Sequence, residues 1–176
     1  NDFFFRLKNL NWFLVFLTFF LAFVGMVMIF SATSGKGFDI LVSHVSKVFL
    51  GLFLMLIVGT INIDFWKKYG YYLYFLGLIL LFWATFYGYL GKGSRRWISF
   101  SGFNFQPSEL MKILVIIVLA KFFDEKKIRE GKDYFFLILP LVLTIIPVSM
   151  IISQPDLGTA MIILFVTAVI FFVAGL

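Results

Sequence analysis

An uncharged apolar stretch from Phe13 to Phe30 constrains the fold of this chain more than any other feature. A helix of this length crosses the roughly 30 Å of hydrocarbon in a bilayer. Hydrophobic residues make up 62% of the 176 residues and charged residues only 14%. This composition leaves too little polar surface for a soluble globular protein of this size. The chain is therefore predicted to lie in a membrane.

Further apolar runs follow, separated by short polar or charged loops. They predict an all-α polytopic membrane protein with about six transmembrane helices, one transmembrane domain over residues 1–176 and part of a larger helical bundle. The predicted spans cover residues 12–31, 44–63, 70–90, 108–123, 134–152 and 156–176. Pro140 and Pro147 interrupt the fifth span and cannot bond the carbonyls of Phe136 and Leu143. We expect this helix to kink or to be compensated by its neighbours.

The distribution of basic residues over the loops predicts the orientation. One side carries nine Lys or Arg residues and the other side four. Cytoplasmic loops are the ones enriched in these residues, so both ends of the chain are predicted to be cytoplasmic. The nine are Arg6, Lys8, Lys67, Lys68, Lys121, Lys126, Lys127, Arg129 and Lys132, and the four are Lys36, Lys92, Arg95 and Arg96.

Several functional classes are excluded by composition. Cysteine is absent and there is one histidine, His44, so neither a disulfide nor a metal site is expected. The net charge of +6 comes from residues scattered over the loops, and membrane topology explains it better than nucleic-acid binding. Bilayer lipids are the expected surroundings.

The segment from Gly91 to Lys112 concentrates most of the polar chemistry. Arg95 and Arg96 carry guanidinium groups suited to phosphate or carboxylate, and the amphipathic ring of Trp97 follows them. Their position on the predicted outer side favours a diphosphate ligand, while anchoring to lipid headgroups is the alternative. Apolar and polar residues alternate on both sides of Ser101-Gly102, which predicts a small hairpin.

A helix is predicted to begin at Gln106-Pro107-Ser108. Four charged residues lie near predicted outer helix ends, and we expect them to form one buried polar network: Lys47, Glu109, Lys112 and Asp156. Simpler roles stay open for each. Glu109 and Lys112 are spaced for a mutual i,i+3 pair, Lys47 has the length to snorkel, and Asp156 is placed to cap the sixth helix.

Two motifs carry a family resemblance. The segment GSRRWISFSGFNFQPSELMKI and the later Ser153-Gln154-Pro155-Asp156-Leu157-Gly158-Thr159-Ala160 resemble the signature of the SEDS family of bacterial cell-wall polymerases. The helix order and the first-helix ending GMVMIFSAT agree with it. The resemblance extends over the chain but corresponds to the N-terminal half of such a protein.

This resemblance implies a peptidoglycan glycosyltransferase of the bacterial cytoplasmic (inner) membrane. SEDS proteins polymerise lipid II at the outer face and work with a class B penicillin-binding protein. Arg95-Arg96-Trp97 resembles the elongation type, with Ser94 in place of its usual alanine. The alternatives are the division or sporulation paralogue, or a flippase or transporter of the lipid-linked precursor. A scaffold subunit is a third class.

The resemblance also implies roles for individual residues. Substrate binding is assigned to Lys47, Arg95, Arg96, Trp97, Glu109, Lys112 and Asp156. The structural motif comprises Gln106, Pro107, Ser108, Gln154, Pro155 and Gly158. The family's catalytic aspartate lies in a loop after the sixth helix, so the base is expected beyond Leu176 and residues 1–176 alone are expected to be inactive. No cofactor is evident, although the diphosphate would admit a divalent cation.

Overall fold

The computed structural model describes residues 5, 7–32, 38–91, 94–100, 103–125 and 134–175. The chain divides into two compact units, Asn1–Asn62 and Ile63–Leu176. Helices occur at all six predicted positions. The architecture is that of a polytopic α-helical membrane protein with one small sheet.

The first unit contains the helices α1 (Trp12–Ala32) and α2 (Phe38–Thr60). No residue of α1 is buried within the unit, as expected of a helix whose side chains face lipid. The helix α2 begins at Phe38 and not at His44, because an isolated Asp39 and a few serines near its start do not interrupt a helix. Its apolar part, Leu41–Thr60, matches the predicted span more closely.

The second unit contains four α-helices. They are α3 (Ile63–Tyr87), α4 (Pro107–Glu125), α5 (Ile138–Ser153) and α6 (Leu157–Val173). The helix α3 begins well before the predicted Gly70. Asp64 lies in its first turn, where a negative charge stabilises the helix dipole, and Lys67 forms a 2.8 Å ion pair with Asp124 of α4. These contacts stabilise the helical conformation of residues 64–69, which were predicted to form a loop between two spans.

The fifth helix also differs at its start. A 3-10 turn covers Tyr134–Leu137 and α5 begins at Ile138, so Pro140 lies in the first helical turn. A proline is tolerated there because the first N–H groups of a helix have no internal acceptor. Pro147 lies inside the helix. The carbonyl of Leu143, which Pro147 cannot bond, accepts a 2.7 Å hydrogen bond from the buried Tyr74 hydroxyl. A neighbouring helix therefore compensates this proline, as expected.

A three-stranded antiparallel sheet connects α3 to α4. Its strands are β1 (Tyr89–Gly91), β2 (Ser94–Phe100) and β3 (Phe103–Phe105), in the order β1-β2-β3. The register Ile98↔Phe105 and Phe100↔Phe103 confirms the predicted hairpin, although the turn at 101–102 lies outside the described residues. Strand β1 was not predicted. The third span was extended to residue 90, whereas Tyr89 and Leu90 leave the helix and pair with β2.

The core of the second unit lies between α3 and α4 and extends to α5 and α6. Tyr74, Leu81, Met111 and Leu119 are fully buried in it. Gly77 lets the helices α3 and α4 approach closely. A Cβ at Gly77 would overlap Leu114 and lie 2.7 Å from Met111 Sδ.

In the part of the chain that the structure describes, three helices are long and apolar enough to cross a membrane: Trp12–Ala32, Leu41–Thr60 and Ile63–Tyr87. The helices α5 and α6 are shorter and apolar. Large apolar side chains remain exposed on both, among them Ile145, Phe165 and Phe172. This exposure suits surroundings of lipid or of further helices.

Candidate functional site

The polar residues of the sequence motifs gather at one end of the second unit. The C-terminal end of α3, the N-terminal end of α4 and the turn between α5 and α6 all lie there, and β2 packs against α3 and α4. Gln106 and Asp156, fifty residues apart, are hydrogen-bonded at this end. We call it the hairpin end.

Asp156 is the anion at the centre of the hairpin end. It is the N-cap of α6, and its Oδ1 accepts a 3.3 Å hydrogen bond from the backbone N–H of Thr159. Its Oδ2 accepts 2.9 Å bonds from the Thr159 hydroxyl and from Gln106 Nε2. The side chain is only 12% exposed. The helix-cap role left open by the sequence is therefore present, together with contacts that a cap does not require.

Gln106 joins α4 to this carboxylate. Its backbone carbonyl accepts from the N–H of Glu109 at 3.1 Å, which starts α4. Its Nε2 donates to Ser108 Oγ and to Asp156 Oδ2, both at 2.9 Å. An amide nitrogen has two hydrogens, so these two bonds use both donors. Gln106 therefore fixes the position of Asp156 relative to α4.

Arg96 brings a positive charge to the same carboxylate. Its Nη1 lies 4.0 Å from Asp156 Oδ2, and its side chain is 23% exposed. Two buried polar atoms of the hairpin end have no partner among the described residues: Arg96 Nε and Gln154 Oε1. The Gln154 amide is otherwise engaged, since Nε2 donates to Thr85 Oγ1 at 2.7 Å. Both atoms are buried, so neither is accessible to a ligand without a rearrangement of the hairpin end.

Arg95 and Arg96 contact different groups, at a point where the pairing of β2 with β1 is irregular. Arg95 Nη1 donates a 3.2 Å hydrogen bond to the carbonyl of Phe86, near the end of α3. Beside Arg95 a cleft of about 670 Å³ opens between the sheet and α3. Its lining includes Trp83, Phe86, Tyr87, Tyr89, Arg95 and Trp97. The two arginines therefore serve two different environments.

Glu109 and Lys112 form a separate ion pair on α4. The Lys112 Nζ to Glu109 Oε2 distance is 2.9 Å, and the Glu109 side chain is 57% exposed. Within the described residues of the second unit, no hydrogen bond or ion pair joins this pair to Asp156. The mutual i,i+3 pair is thus present, while the expected single buried network is not seen among these three residues. Lys47 lies on α2 of the first unit.

The other motif residues divide between core and surface. Pro107, Ser108 and Gln154 are buried, whereas Pro155 and Gly158 are exposed.

Sequence reasoning missed Thr159 and Thr85. Thr159 had a detectable signal, because it lies three residues after the capping Asp156, where the backbone N–H meets the cap. Among the described residues, no group of three potential metal-ligating side chains forms.

The arrangement at the hairpin end favours electrostatic orientation over proton transfer by Asp156. Both carboxylate oxygens accept hydrogen bonds from the protein, so Asp156 meets Arg96 as a fixed anion. The Nη1 of Arg96 lies 4.0 Å from this carboxylate, within ion-pair range and beyond hydrogen-bond distance. A phosphate-bearing ligand at this cluster would be recognised by the Arg96 guanidinium, whose side chain is 23% exposed.

Comparison with known proteins gives consistent matches. The family described as "Cell cycle protein" (FtsW, RodA and SpoVE) matches residues 11–176. A probable peptidoglycan glycosyltransferase FtsW of Trichlorobacter lovleyi is 32% identical over 97% of this chain and 47% of its own length. The peptidoglycan glycosyltransferase MrdB of Escherichia coli K12 is 29% identical over 85% of this chain and 40% of its own.

Solved structures agree with the fold. The crystal structure of the rod shape determining protein RodA of Thermus thermophilus superposes with a TM-score of 0.82, at 32% identity, over 94% of this chain and 54% of that one. A chain from a peptidoglycan synthase complex superposes with a TM-score of 0.81, also at 32% identity, over 94% of this chain and 48% of that one. The chain spans about half the length of the relatives that it matches. FtsW and MrdB relatives match comparably, so the matches do not separate the division type from the elongation type.

Proposed function

Since the chain belongs to the FtsW, RodA and SpoVE family of cell cycle proteins, we propose that it takes part in peptidoglycan glycosyl transfer, the polymerisation of lipid II into glycan strands. The observation that carries this proposal is the cluster of Gln106, Asp156 and Arg96 at the hairpin end. In this cluster the guanidinium of Arg96 lies beside Asp156 at the N-terminal end of α6. We propose that the diphosphate of a lipid-linked sugar binds there.

The chemistry of the reaction explains the residue types. Glycosyl transfer from lipid II releases a lipid diphosphate, and cations stabilise the charge that develops on this leaving group. Arg96 and Lys112 are the cations that we propose for this role, with Asp156 beside Arg96 and Glu109 beside Lys112. Lys47, which the resemblance also assigns to the substrate, lies in the first unit, and its role stays a prediction. Arg95 and Trp97, the other two residues that the resemblance assigns to the substrate, line the separate cleft beside β2 and are not part of the proposed diphosphate site. We propose that the base that deprotonates the attacking hydroxyl lies outside residues 1–176, as the family resemblance implies.

The cellular setting follows from the same proposal. The hairpin end faces the outside of the bacterial cytoplasmic membrane and the N-terminal end faces the cytoplasm. A class B penicillin-binding protein is the proposed partner, and the matching chain of a peptidoglycan synthase complex supports an assembly of this kind. Elongation is the proposed process, from Arg95-Arg96-Trp97. The proposal requires no resident cofactor, and any divalent cation would arrive with the diphosphate.

A transporter is a less suitable function. Transporters place their substrate groups near the middle of the bilayer in broken helices. Here Glu109 is in the first turn of α4 and Asp156 is the cap of α6, so both lie at helix ends. This depth favours chemistry at the membrane surface.

The proposal is tested with two purified proteins and fluorescent lipid II. One is residues 1–176, and the other is a chimera in which these residues replace the matching part of Escherichia coli MrdB, together with its penicillin-binding protein partner. We expect glycan polymer on a gel from the chimera and none from residues 1–176. Polymer from the short chain would move the base into this sequence. A folded chimera that flips lipid II without polymerising it would contradict the proposal.

A further inference from the structure

The cleft beside Arg95 is a second polar feature of the hairpin end, and neither Arg96 nor Asp156 lines it. Its volume of about 670 Å³ lies in the range of ligand-binding clefts. The lining combines one arginine with five large aromatic side chains, Trp83, Phe86, Tyr87, Tyr89 and Trp97, and contains no acidic residue. The cleft therefore suits a ligand that is anionic at one end and apolar at the other.

The positive charge of the cleft is available to a ligand. Arg95 is exposed, and its bond to the Phe86 carbonyl uses one of the five N–H donors of a guanidinium. None of the described acids lies within ion-pair distance of Arg95. The bond to Phe86 fixes the side chain at the end of α3 and leaves the charge unneutralised. Such a guanidinium recognises phosphate well.

The aromatic residues place this charge at the membrane surface. Trp83 and Tyr87 are 55% and 71% exposed, and their rings lie 4.9 Å apart on the last turns of α3, a helix long enough to cross the bilayer. Trp and Tyr concentrate at the headgroup level of membranes. Below them the exposed side chains of Ile79, Phe82 and Phe75 continue the apolar surface along α3. An acyl chain can follow this surface while its phosphate meets Arg95.

We propose that this cleft binds an anionic phospholipid, with its headgroup phosphate on Arg95 and one acyl chain along the exposed face of α3. The bound lipid fastens the three-stranded sheet to the membrane surface. This site is distinct from the Arg96–Asp156 cluster, because Arg95 donates to the Phe86 carbonyl whereas Arg96 lies beside Asp156. It does not depend on the proposed glycosyl transfer.

The test measures lipid retention by native mass spectrometry. The protein is reconstituted in nanodiscs of phosphatidylglycerol and phosphatidylcholine, released, and the phosphatidylglycerol that stays bound is counted. Arg95→Gln is expected to lower its apparent affinity about ten-fold, the effect of losing one charge-assisted hydrogen bond. Arg95→Lys keeps the charge and should lose less. Arg96→Gln removes the same charge from a neighbouring residue that does not line the cleft, and it should retain the lipid.

Circular dichroism of each variant checks that the helices remain folded. Retention of phosphatidylglycerol by a folded Arg95→Gln variant at the original level would overturn the proposal, as would an equal loss in Arg96→Gln. Two competitors identify the source of the phosphate. Inorganic phosphate should not displace the lipid, since it has no acyl chain, and displacement by it would reduce the cleft to a simple anion site. Lipid II is added at a concentration equal to that of phosphatidylglycerol. If it displaces phosphatidylglycerol, and added phosphatidylglycerol does not displace it in turn, the cleft belongs to the substrate and the proposal is contradicted.

Discussion

The Tyr74 hydroxyl donates a 2.7 Å hydrogen bond to the carbonyl of Leu143, the acceptor that Pro147 leaves without its helical donor. Tyr74 is fully buried on α3 and Pro147 is buried inside α5. In an apolar surrounding an unpaired carbonyl is costly, so a donor from a neighbouring helix stabilises the interrupted helix. One side chain thereby couples the backbone of α5 to the packing of α3.

Replacing Tyr74 with Phe should destabilise the second unit. The substitution keeps the ring and leaves the Leu143 carbonyl unpaired, at an expected cost of about 1–2 kcal/mol in unfolding free energy. Thermal unfolding in detergent, followed by circular dichroism, measures the change. Tyr72→Phe is the matched control, since Tyr72 is 74% exposed and should tolerate the loss of its hydroxyl.

A double substitution tests the cause. Pro147→Ala restores an N–H that can bond Leu143, so Tyr74→Phe should cost less in that background than alone. Equal costs in both backgrounds would show that the hydroxyl does not act on this carbonyl.

Enlarging Gly77 should also destabilise the chain. A Cβ at this position overlaps Leu114 and meets Met111 Sδ, both in the core, so Gly77→Val requires α3 and α4 to separate at a cost of about 1–3 kcal/mol. Gly51→Val in α2 is the control, because nothing lies within 4 Å of its added Cβ. The same detergent unfolding assay compares the two. Equal midpoints would mean that close approach of α3 and α4 does not limit stability.

Gln106 should matter more than its exposed neighbour Asn104. Gln106→Leu removes both amide donors and leaves Asp156 with one partner fewer, so we expect at least about a ten-fold loss of polymerisation in the MrdB chimera. Asn104→Leu changes an exposed amide on β3 and should retain activity. Polymer yields on gels, at equal protein, give the comparison. Full activity of the Gln106→Leu variant would show that polymerisation does not depend on the positioning of Asp156 by Gln106.

The orientation can be measured with single cysteines, because the chain contains none. Ser99 is exposed on β2 at the hairpin end, and Glu125 is exposed at the opposite end of α4. In intact cells an impermeant thiol reagent should label Ser99→Cys and leave Glu125→Cys unlabelled until the membrane is opened. The reverse pattern would place the hairpin end in the cytoplasm.

The sequence was sufficient for the features that depend on local patterns. Long apolar runs predicted six helices, and alternation around Ser101-Gly102 predicted the hairpin. Proline chemistry predicted that α5 would need compensation, although not that Tyr74 would supply it. Strand β1 escaped detection because three residues ending an apolar run carry no pattern of their own.

Contacts between distant residues were beyond these patterns. Gln106 and Asp156 belong to the two motifs that carry the family resemblance, but their hydrogen bond depends on how α4 and α6 pack. The sequence predicted that Arg95 and Arg96 face one ligand as a pair. Their different contacts lie at an irregularity in the pairing of β2 with β1, which no sequence pattern predicts. Glu109 was expected to be buried, whereas its position at a helix start leaves it exposed.

Strand β2 carries one residue more than β1 between the pairs Tyr89↔Trp97 and Leu90↔Arg95, and the extra residue is Arg96. An extra residue of this kind bends a strand and changes the direction of its side chains. One residue gained or lost beside it would therefore redirect both guanidinium groups. Selection on this strand acts more strictly on its length than on its composition, so natural variants should exchange residue types here far more readily than they gain or lose a residue.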